Sequence, residues 1–238
     1  MIPKIIHYCW FGKKPLPKFA KKCINSWKKY CPDYKIIEWN EDNFDLSCNT
    51  YVKEAYESEK WAFVTDYVRL YALFTMGGIY MDTDVEVIKP LDLFLNDNAF
   101  SGFECEDRVP TGIMGAEKNH KFIKTLMQDY RQRKFVNEDG KYDCTTNVVV
   151  ITQYCIKQGL KLDGTKQIVC DFTLYPSEYF CPKNYRTKVL NITKNTCAIH
   201  HFDGSWLPLD AKIRTKFIEL IGCEWTNRLR KVKHKLNL

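Results

Sequence analysis

The chain has 238 residues, 45% of them hydrophobic and 27% charged, a balance that excludes a disordered or fibrous protein. That length is enough to bury a core without disulfide or zinc staples and suits one domain spanning residues 1–238. A net charge of +7, from 36 Lys and Arg against 29 Asp and Glu, points to anionic partners without naming them.

The first segment, "PKIIHYCWF", reads as a buried strand. Phe19, Cys23, Trp27 and Tyr30 then recur at helical spacing, "CPDY" breaks the helix, and "YKIIEWN" forms a second strand. Strand, helix and strand joined by short links imply a parallel pair with a right-handed crossover, hence an α/β protein. From about Tyr51 to Met76 the pattern is helical again, with Trp61, Val64, Val68 and Tyr71 on one face and Leu70, Leu73 and Phe74 widening it. Gly77 and Gly78 stand where a helix cap belongs, and the strand "IYM" delivers Asp82 at its carboxyl end, where open α/β sheets bind ligands.

Asp82, Asp84 and Glu86 then alternate in "MDTDVEVI". Carboxylates two apart on a strand share a face and repel one another, so either a divalent cation sits among them or the strand ends near Asp82 and leaves a solvated acidic edge. Asp66 and Arg69, three apart, lie on one side of the preceding helix, within a long apolar stretch.

Farther on, "VPTGIMGA" predicts a strand and Phe122, Leu126 and Tyr130 a helix, while the short apolar run of "TTNVVVITQYC" fits either a buried strand or, by preference, a helix capped by Thr145 or Thr146. "KQIVCDF", "YPSEYFCP" and "TCAIHHF" read as strands or extended segments, followed by a closing basic helix over about 209–231. The segment "HHFDGSW", residues 200–206, sets imidazole, hydroxyl and indole groups together. No G-x-G-x-x-G or Walker loop is present, so a bound nucleotide is not held by a glycine-rich phosphate loop.

Eleven cysteines without a C-x-x-C pair form neither a disulfide framework nor a zinc site, which predicts a reducing, cytoplasmic setting. The opening "MIPKIIHYCWFGKK" does not read as a signal peptide, and no apolar run approaches the roughly 20 residues of a spanning helix. Basic residues concentrate in residues 13–29 and in the tail "RLRKVKHKLNL", which reads as a surface for nucleic acid, for a phosphate-bearing small substrate, or for peripheral contact of the tail with an anionic membrane.

"IPKIIHYCWFG", "WAFVTDYVRLYALFTMGGIYMDTDVEVI", "YPSEYFCP" and "HHFDGSW", in that order, resemble the motifs of glycosyltransferase family 32, the sugar-transfer proteins with a D-x-D motif. The central block also resembles the glucosylating domain of the large clostridial toxins. The resemblance implies a GT-A fold, Rossmann-like, with a mostly parallel central sheet and flanking helices. It implies retaining transfer of a hexose from a nucleotide sugar, most simply a UDP-sugar, with Mn²⁺ or Mg²⁺. The acceptor it implies is a saccharide or lipid-linked oligosaccharide in bacterial surface-polysaccharide assembly, with no nucleic acid involved.

By the same resemblance Trp10 stacks on the base, Asp66 and Arg69 hold the donor sugar, and Asp82 contacts ribose and sugar. Asp84 binds the metal with His201, while Ser205 and Trp206 reach the diphosphate from a closing lid. Glu86 is assigned to structure. Many relatives carry Thr-Gly-Pro where this chain has Thr145, Thr146 and Asn147, and the toxins use a carboxylate where His201 is placed.

Two other classes fit the motif less well. A haloacid-dehalogenase-like phosphatase also places D-x-D at a strand end, but wants Thr or Val where Glu86 stands. A non-catalytic glycan or membrane-surface binding protein leaves Arg69, Asp82 and Asp84 without a task.

Overall fold

Gly77 and Gly78 set the geometry on which the rest of the sheet is hung. The computed structural model describes residues 1–110 and 112–204, and in it both glycines have positive φ, +69° and +115°. A Cβ on Gly77 would meet the Lys118 backbone nitrogen at 2.7 Å, and one on Gly78 would meet the Ile5 carbonyl at 2.6 Å. Only glycine admits both the left-handed turn and the close approach. The buried His7 fastens this turn: its Nε2 lies 2.8 Å from the Gly77 carbonyl, and its Nδ1 accepts the Trp39 indole N–H at 3.1 Å. With Nδ1 accepting, Nε2 carries the proton and donates, so a neutral imidazole satisfies both contacts.

The elements are β1 (Ile5–Cys9), α1 (Lys18–Tyr30), β2 (Lys35–Trp39), α2 (Thr50–Glu57), α3 (Trp61–Met76), β3 (Gly78–Met81) and β4 (Val85–Val87). There follow β5 (Ala99–Gly102), β6 (Ile113–Ala116), α4 (Lys121–Asp129), α5 (Asn147–Lys157), β7 (Gln167–Val169), β8 (Phe172–Tyr175) and β9 (Ala198–His200). Seven strands form one sheet in the order β2-β1-β3-β6-β5-β8-β7, and β4 and β9 form a separate antiparallel pair. Strands β2, β1, β3, β5 and β8 run one way, and β6 and β7 oppose them. This is the mixed α/β architecture expected, with a sheet that is mostly parallel in strand direction.

Side-chain alternation divides the core between the two faces of the sheet. Tyr80 and Met114 pack with Val64, Val68 and Leu73 of α3, Ile123 of α4 and Ile151 of α5. Ile6, Ile79 and Phe100 pack on the other face with Trp27 of α1, Val85 and Ala198. The Trp27 indole donates to the Val85 carbonyl at 2.7 Å and so ties α1 to β4. No helix among the described residues is long and apolar enough to cross a membrane.

Two expectations need correction. The single helix from Tyr51 to Met76 is two, because the chain turns at Ser58–Lys60, where Glu59 has φ +55° and the Lys60 N–H bonds back to the Ala55 carbonyl. The three alternating acids do not share one strand face. Strand β3 ends at Met81, Val85 N–H closes a turn onto the Asp82 carbonyl at 3.0 Å, and Glu86 belongs to β4. The basic helix expected after residue 209 and the tail lie outside the described residues.

Candidate active site

Helix α3 and strand β3 bring three charged side chains to one end of the sheet. Asp66 and Arg69 are one turn apart on α3, with Arg69 Nη2 3.3 Å from Asp66 Oδ1 and 3.4 Å from Asp82 Oδ1. Tyr80 donates to the same Asp82 oxygen at 3.1 Å, and its ring lies 4.6 Å from the Arg69 guanidinium carbon. Asp66 is 7% exposed, and burial pushes its carboxyl up to about 6 against the opposing influence of Arg69 and of the Asn147 N–H, which bonds it at 3.1 Å. The Asn147 amide also donates to the Asp66 carbonyl at 2.6 Å, so the first turn of α5 is keyed to α3.

The turn after β3 presents Asp84, β9 presents His200, and His201 follows the strand. Ligand atoms of Asp82, Asp84 and His200 all lie within 4.8 Å of one another, with His200 Nε2 3.5 Å from Asp84 Oδ1. The imidazole beside the carboxylates is therefore His200, which corrects the expectation of His201 by one residue. Strand register is the reason: β9 pairs with β4 so that Val85 faces His200, and successive side chains point to opposite faces. His201 turns toward α1, where its Nε2 meets Glu86 Oε2 at 2.8 Å and its ring contacts Phe19 edge-on at 5.0 Å. Burial alone would raise the Glu86 carboxyl, but His201 and Lys22 outweigh it and hold the group low, consistent with a structural ion cluster.

The residues fit a small divalent cation on two observations. Buried His200 Nδ1 has no hydrogen-bond partner among the described residues, and Gly112 keeps the space beside the site open. A Cβ at Gly112 would meet Asp82 Oδ2 at 3.0 Å and His200 Cε1 at 3.1 Å. Two carboxylates and one imidazole are a donor set that suits Mn²⁺ or Mg²⁺ better than a thiophilic ion.

Trp10 follows β1, which runs parallel to β3, so it stands at the same end of the sheet as Asp82. It is half-buried, and its indole N–H donates to the Lys14 carbonyl. Ser205 and Trp206 lie outside the described residues.

Sequence reasoning missed His200, Gly112, Asn147 and Glu104. Glu104 is mostly buried; burial raises its carboxyl pKa, while His200 and Arg108 act in the opposite direction. It lines a cavity of about 510 Å³ with Asp107, Ser177, Tyr185 and Arg186. The doubled histidine in "HHFDGSW" was the one available signal for His200, and no local pattern marked the other three.

The family described as "Glycosyltransferase sugar-binding region containing DXD motif" matches residues 17–101, which contain Asp66, Arg69, Asp82 and Asp84. Over that region the chain is similar to DXD-motif glycosyltransferases of the family 32 type. Among curated relatives, an inositol phosphoceramide mannosyltransferase of Schizosaccharomyces pombe is 28% identical over 54% of this chain and 37% of its own length. A mannosyl phosphorylinositol ceramide synthase of Saccharomyces cerevisiae is 28% identical over 56% of this chain and 36% of its own. The chain thus spans little more than a third of the length of these two relatives. An uncharacterized glycosyltransferase of Acanthamoeba polyphaga mimivirus is 25% identical over 87% of this chain and 85% of its own.

Similar solved structures include the PaToxG glycosyltransferase, with TM-score 0.49 and 20% identity over 68% of this chain and 73% of the other. Another is a glycosyltransferase involved in glycosylating the major capsid of PBCV-1, with TM-score 0.44 and 15% identity over 90% of this chain and the whole of the other.

Proposed function

We propose that the protein transfers a hexose from a nucleoside-diphosphate sugar, UDP-linked, to a saccharide or lipid-linked acceptor, with a divalent cation and retention of configuration. The observation that carries the reading is the convergence of Asp82, Asp84 and His200 within 4.8 Å beside Arg69. The S. pombe relative is named as an inositol phosphoceramide mannosyltransferase and the S. cerevisiae relative as a mannosyl phosphorylinositol ceramide synthase, and both names support an acceptor carried on lipid.

Asp84 and His200 would hold the cation together with Asp82. A cation bound there supplies Lewis-acid stabilisation to the departing diphosphate. Arg69 faces the sugar side of the site and offers donors to oxygens on which negative charge grows, an interaction stronger in the transition state than in the ground state. Asp66 orients Arg69 and accepts the Asn147 N–H, so the α5 start and the donor-sugar wall move together. Trp10 would supply a flat apolar platform for the base. The acceptor hydroxyl attacks on the face that the diphosphate leaves and passes its proton to a departing diphosphate oxygen as the sugar–phosphate bond breaks, as befits a retaining transfer without a protein nucleophile.

A panel of nucleotide sugars with and without Mn²⁺, read by thermal stabilisation and by sugar release, tests the assignment. Mn²⁺-dependent release that disappears in Asp84→Asn, with folding preserved, is the expected result. Undiminished turnover in Asp84→Asn, or binding of glycans without any turnover, overturns it.

A further inference from the structure

The parallel strands deliver more to their carboxyl ends than the donor site uses. Strands β1, β3, β5 and β8 run in one direction, so Trp10 after β1, Asp82 after β3, Glu104 after β5 and Ser177 after β8 all stand at the same end of the sheet. From Trp10, strands β5 and β8 lie on the far side of the cluster of Asp82, Asp84 and His200. Strand β5 is two strands from β3, about 10 Å at ordinary strand spacing. The cavity of about 510 Å³ lies there, walled by Glu104, Ser177, Tyr185 and Asn191.

Rings and charge connect the cavity to the cluster. The Tyr185 ring lies 6.1 Å from that of Phe202, which lies 4.1 Å from the His200 imidazole. Burial raises the Glu104 carboxyl, and His200, Arg108, Asp82 and Arg69 all act on it electrostatically. Glu104 therefore stands between the donor side and the cavity.

The unpaired part of the lining selects the ligand. Asp107 lies 3.8 Å from Arg108 Nε and also acts on Arg186, while Glu178 accepts the Asn195 amide at 2.8 Å and is acted on by Lys194. Lys183 and Lys188, near Arg186 in sequence, have partners of their own and do not line the cavity. The side chains of Glu104, Glu106, Ser177 and Asn191 line it and make no hydrogen bond or ion pair among the described residues. That remainder is two carboxylates, which as anions only accept, with a hydroxyl and a carboxamide that both donate and accept. Separate hydroxyl groups satisfy such a set. A metal ion does not, because Asp82, Asp84 and His200 are the one group among the described residues whose ligand atoms converge. An anionic ligand would set its charge against Glu104 and Glu106, neither of them ion-paired among the described residues.

We propose that this cavity is the acceptor subsite, that it takes an uncharged, hydroxyl-bearing terminal sugar, and that Glu104 accepts a hydrogen bond from a hydroxyl of that sugar. The Tyr185 ring supplies the apolar part of the wall, and Ser177 and Asn191 bond further hydroxyls. Glu104 holds a hydroxyl and takes no proton; the proton of the reacting hydroxyl goes to the departing diphosphate as described above. That the sugar is an acceptor rests on the activity proposed above, whereas the preference of the cavity for neutral hydroxyl groups does not.

The test is saturation-transfer NMR of the full chain with methyl glycosides of glucose, galactose, mannose and glucuronic acid, in Mg²⁺ with and without UDP. At least one neutral methyl hexoside is expected to bind, and the glucuronide about tenfold more weakly or worse. Glu104→Gln keeps the side-chain volume and removes the charge. It should weaken the neutral sugar by about tenfold or more and narrow its advantage over the glucuronide, with Mg²⁺-dependent UDP binding unmoved. Ser177→Ala and Asn191→Ala should each cost about threefold. Thermal unfolding is measured for every variant, and these two milder substitutions carry the test if Glu104→Gln does not fold.

The proposal is overturned if no neutral hexoside binds, if the glucuronide binds as tightly as they do, or if folded Glu104→Gln, or in its place both milder variants, binds sugar as the parent does. It also falls if Glu104→Gln loses Mg²⁺-dependent UDP binding, which would assign Glu104 to the cation site. Mn²⁺-dependent sugar release from nucleotide sugars is measured in parallel on the parent. Glu104-dependent sugar binding without any release leaves the ligand of the cavity standing and strikes the proposed transfer alone, whereas release with sugar binding indifferent to Glu104 strikes the cavity alone.

Discussion

Arg69 and Arg133 each sit between two carboxylates and against tyrosine rings, yet they are held differently. Arg133 donates from Nε and Nη2 to Asp143 Oδ2 at 3.1 and 2.7 Å and from Nη2 to the Thr145 carbonyl at 3.0 Å. Its guanidinium lies 4.8 Å from the Tyr51 ring and 4.7 Å from the Tyr130 ring. Arg69 directs its hydrogen bonds to Thr65 on its own helix, and its approaches to Asp66 and Asp82 are longer, 3.3 and 3.4 Å. In one cluster Nε and Nη2 are engaged by short protein contacts and the arginine acts as a fastening, although its buried Nη1 has no hydrogen-bond partner among the described residues. In the other the charge is balanced without short hydrogen bonds to the acids. The carboxylates follow suit. Burial alone would raise Asp143, but hydrogen bonds from Arg133 and Thr145 hold it low, whereas burial raises Asp66 to about 6.

The largest expected contrast is in turnover. Arg69→Ala should lower kcat/KM by about 10²–10³, the range for losing one preorganised donor at a developing charge. Arg133→Ala should leave the turnover of the folded fraction near that of the parent. Kinetics paired with thermal unfolding reads both, and equal catalytic losses would sink the distinction.

Next comes pH, with opposite signs at the two sites. The folded-state value of Asp66 lies above its ordinary 3.8, so the folded protein holds this proton more tightly between 3.8 and about 6. The stability contributed by Asp66 is complete below that window and declines as pH rises through 6, by at most about 3 kcal/mol. Asp143 behaves in reverse: its contribution is present above the ordinary carboxylate value and disappears as pH falls through its lowered one. Urea unfolding in chelator across this range should show the decline removed by Asp66→Asn and retained in Asp143→Asn.

Arg133→Ala should destabilise the fold by about 1–3 kcal/mol, since it strips the two arginine hydrogen bonds from a half-buried carboxylate. Denaturant midpoints measure this, and a loss below the scatter of surface substitutions would return Arg133 to an incidental role.

The adjacent histidines sharpen the same division between binding and fastening. His200→Ala should raise the Mn²⁺ midpoint by about tenfold or more. His201→Ala should leave the midpoint unmoved and cost about 1 kcal/mol or less of stability through its Glu86 pair. A shifted midpoint in His201→Ala alone would reverse the assignment.

The site was legible in part. Asp66, Arg69, Asp82 and Asp84 announced themselves as charges inside or beside an apolar run, and the structure brings all four to one end of the sheet. The closing imidazole was placed one residue late, because two adjacent histidines differ only in the face they present. Glu86 stood in phase with the two aspartates by spacing alone, yet the turn at Asp82–Asp84 separates them, and that turn rests on a bond between Val85 and Asp82 within a strand-like stretch.

What the sequence determined by itself is what acts over a few residues. Helical spacing in Phe19, Cys23 and Trp27 specified α1, and paired glycines specified the turn that ends α3 and starts β3. Period, propensity and backbone freedom are local quantities, so these elements were readable before their partners were known. Tertiary structure decided the rest. The order β3-β6-β5 carries Gly112, at the start of β6, to Asp82, and Glu104, just after β5, toward the electrostatic reach of His200. The docking of α5 on α3 places Asn147 on Asp66 across 81 positions of chain, and the burial that shifts Asp66 comes from that packing. The β4–β9 register turned His200 to the carboxylates and His201 away, because alternation along a strand specifies opposite faces but only pairing specifies which face is which.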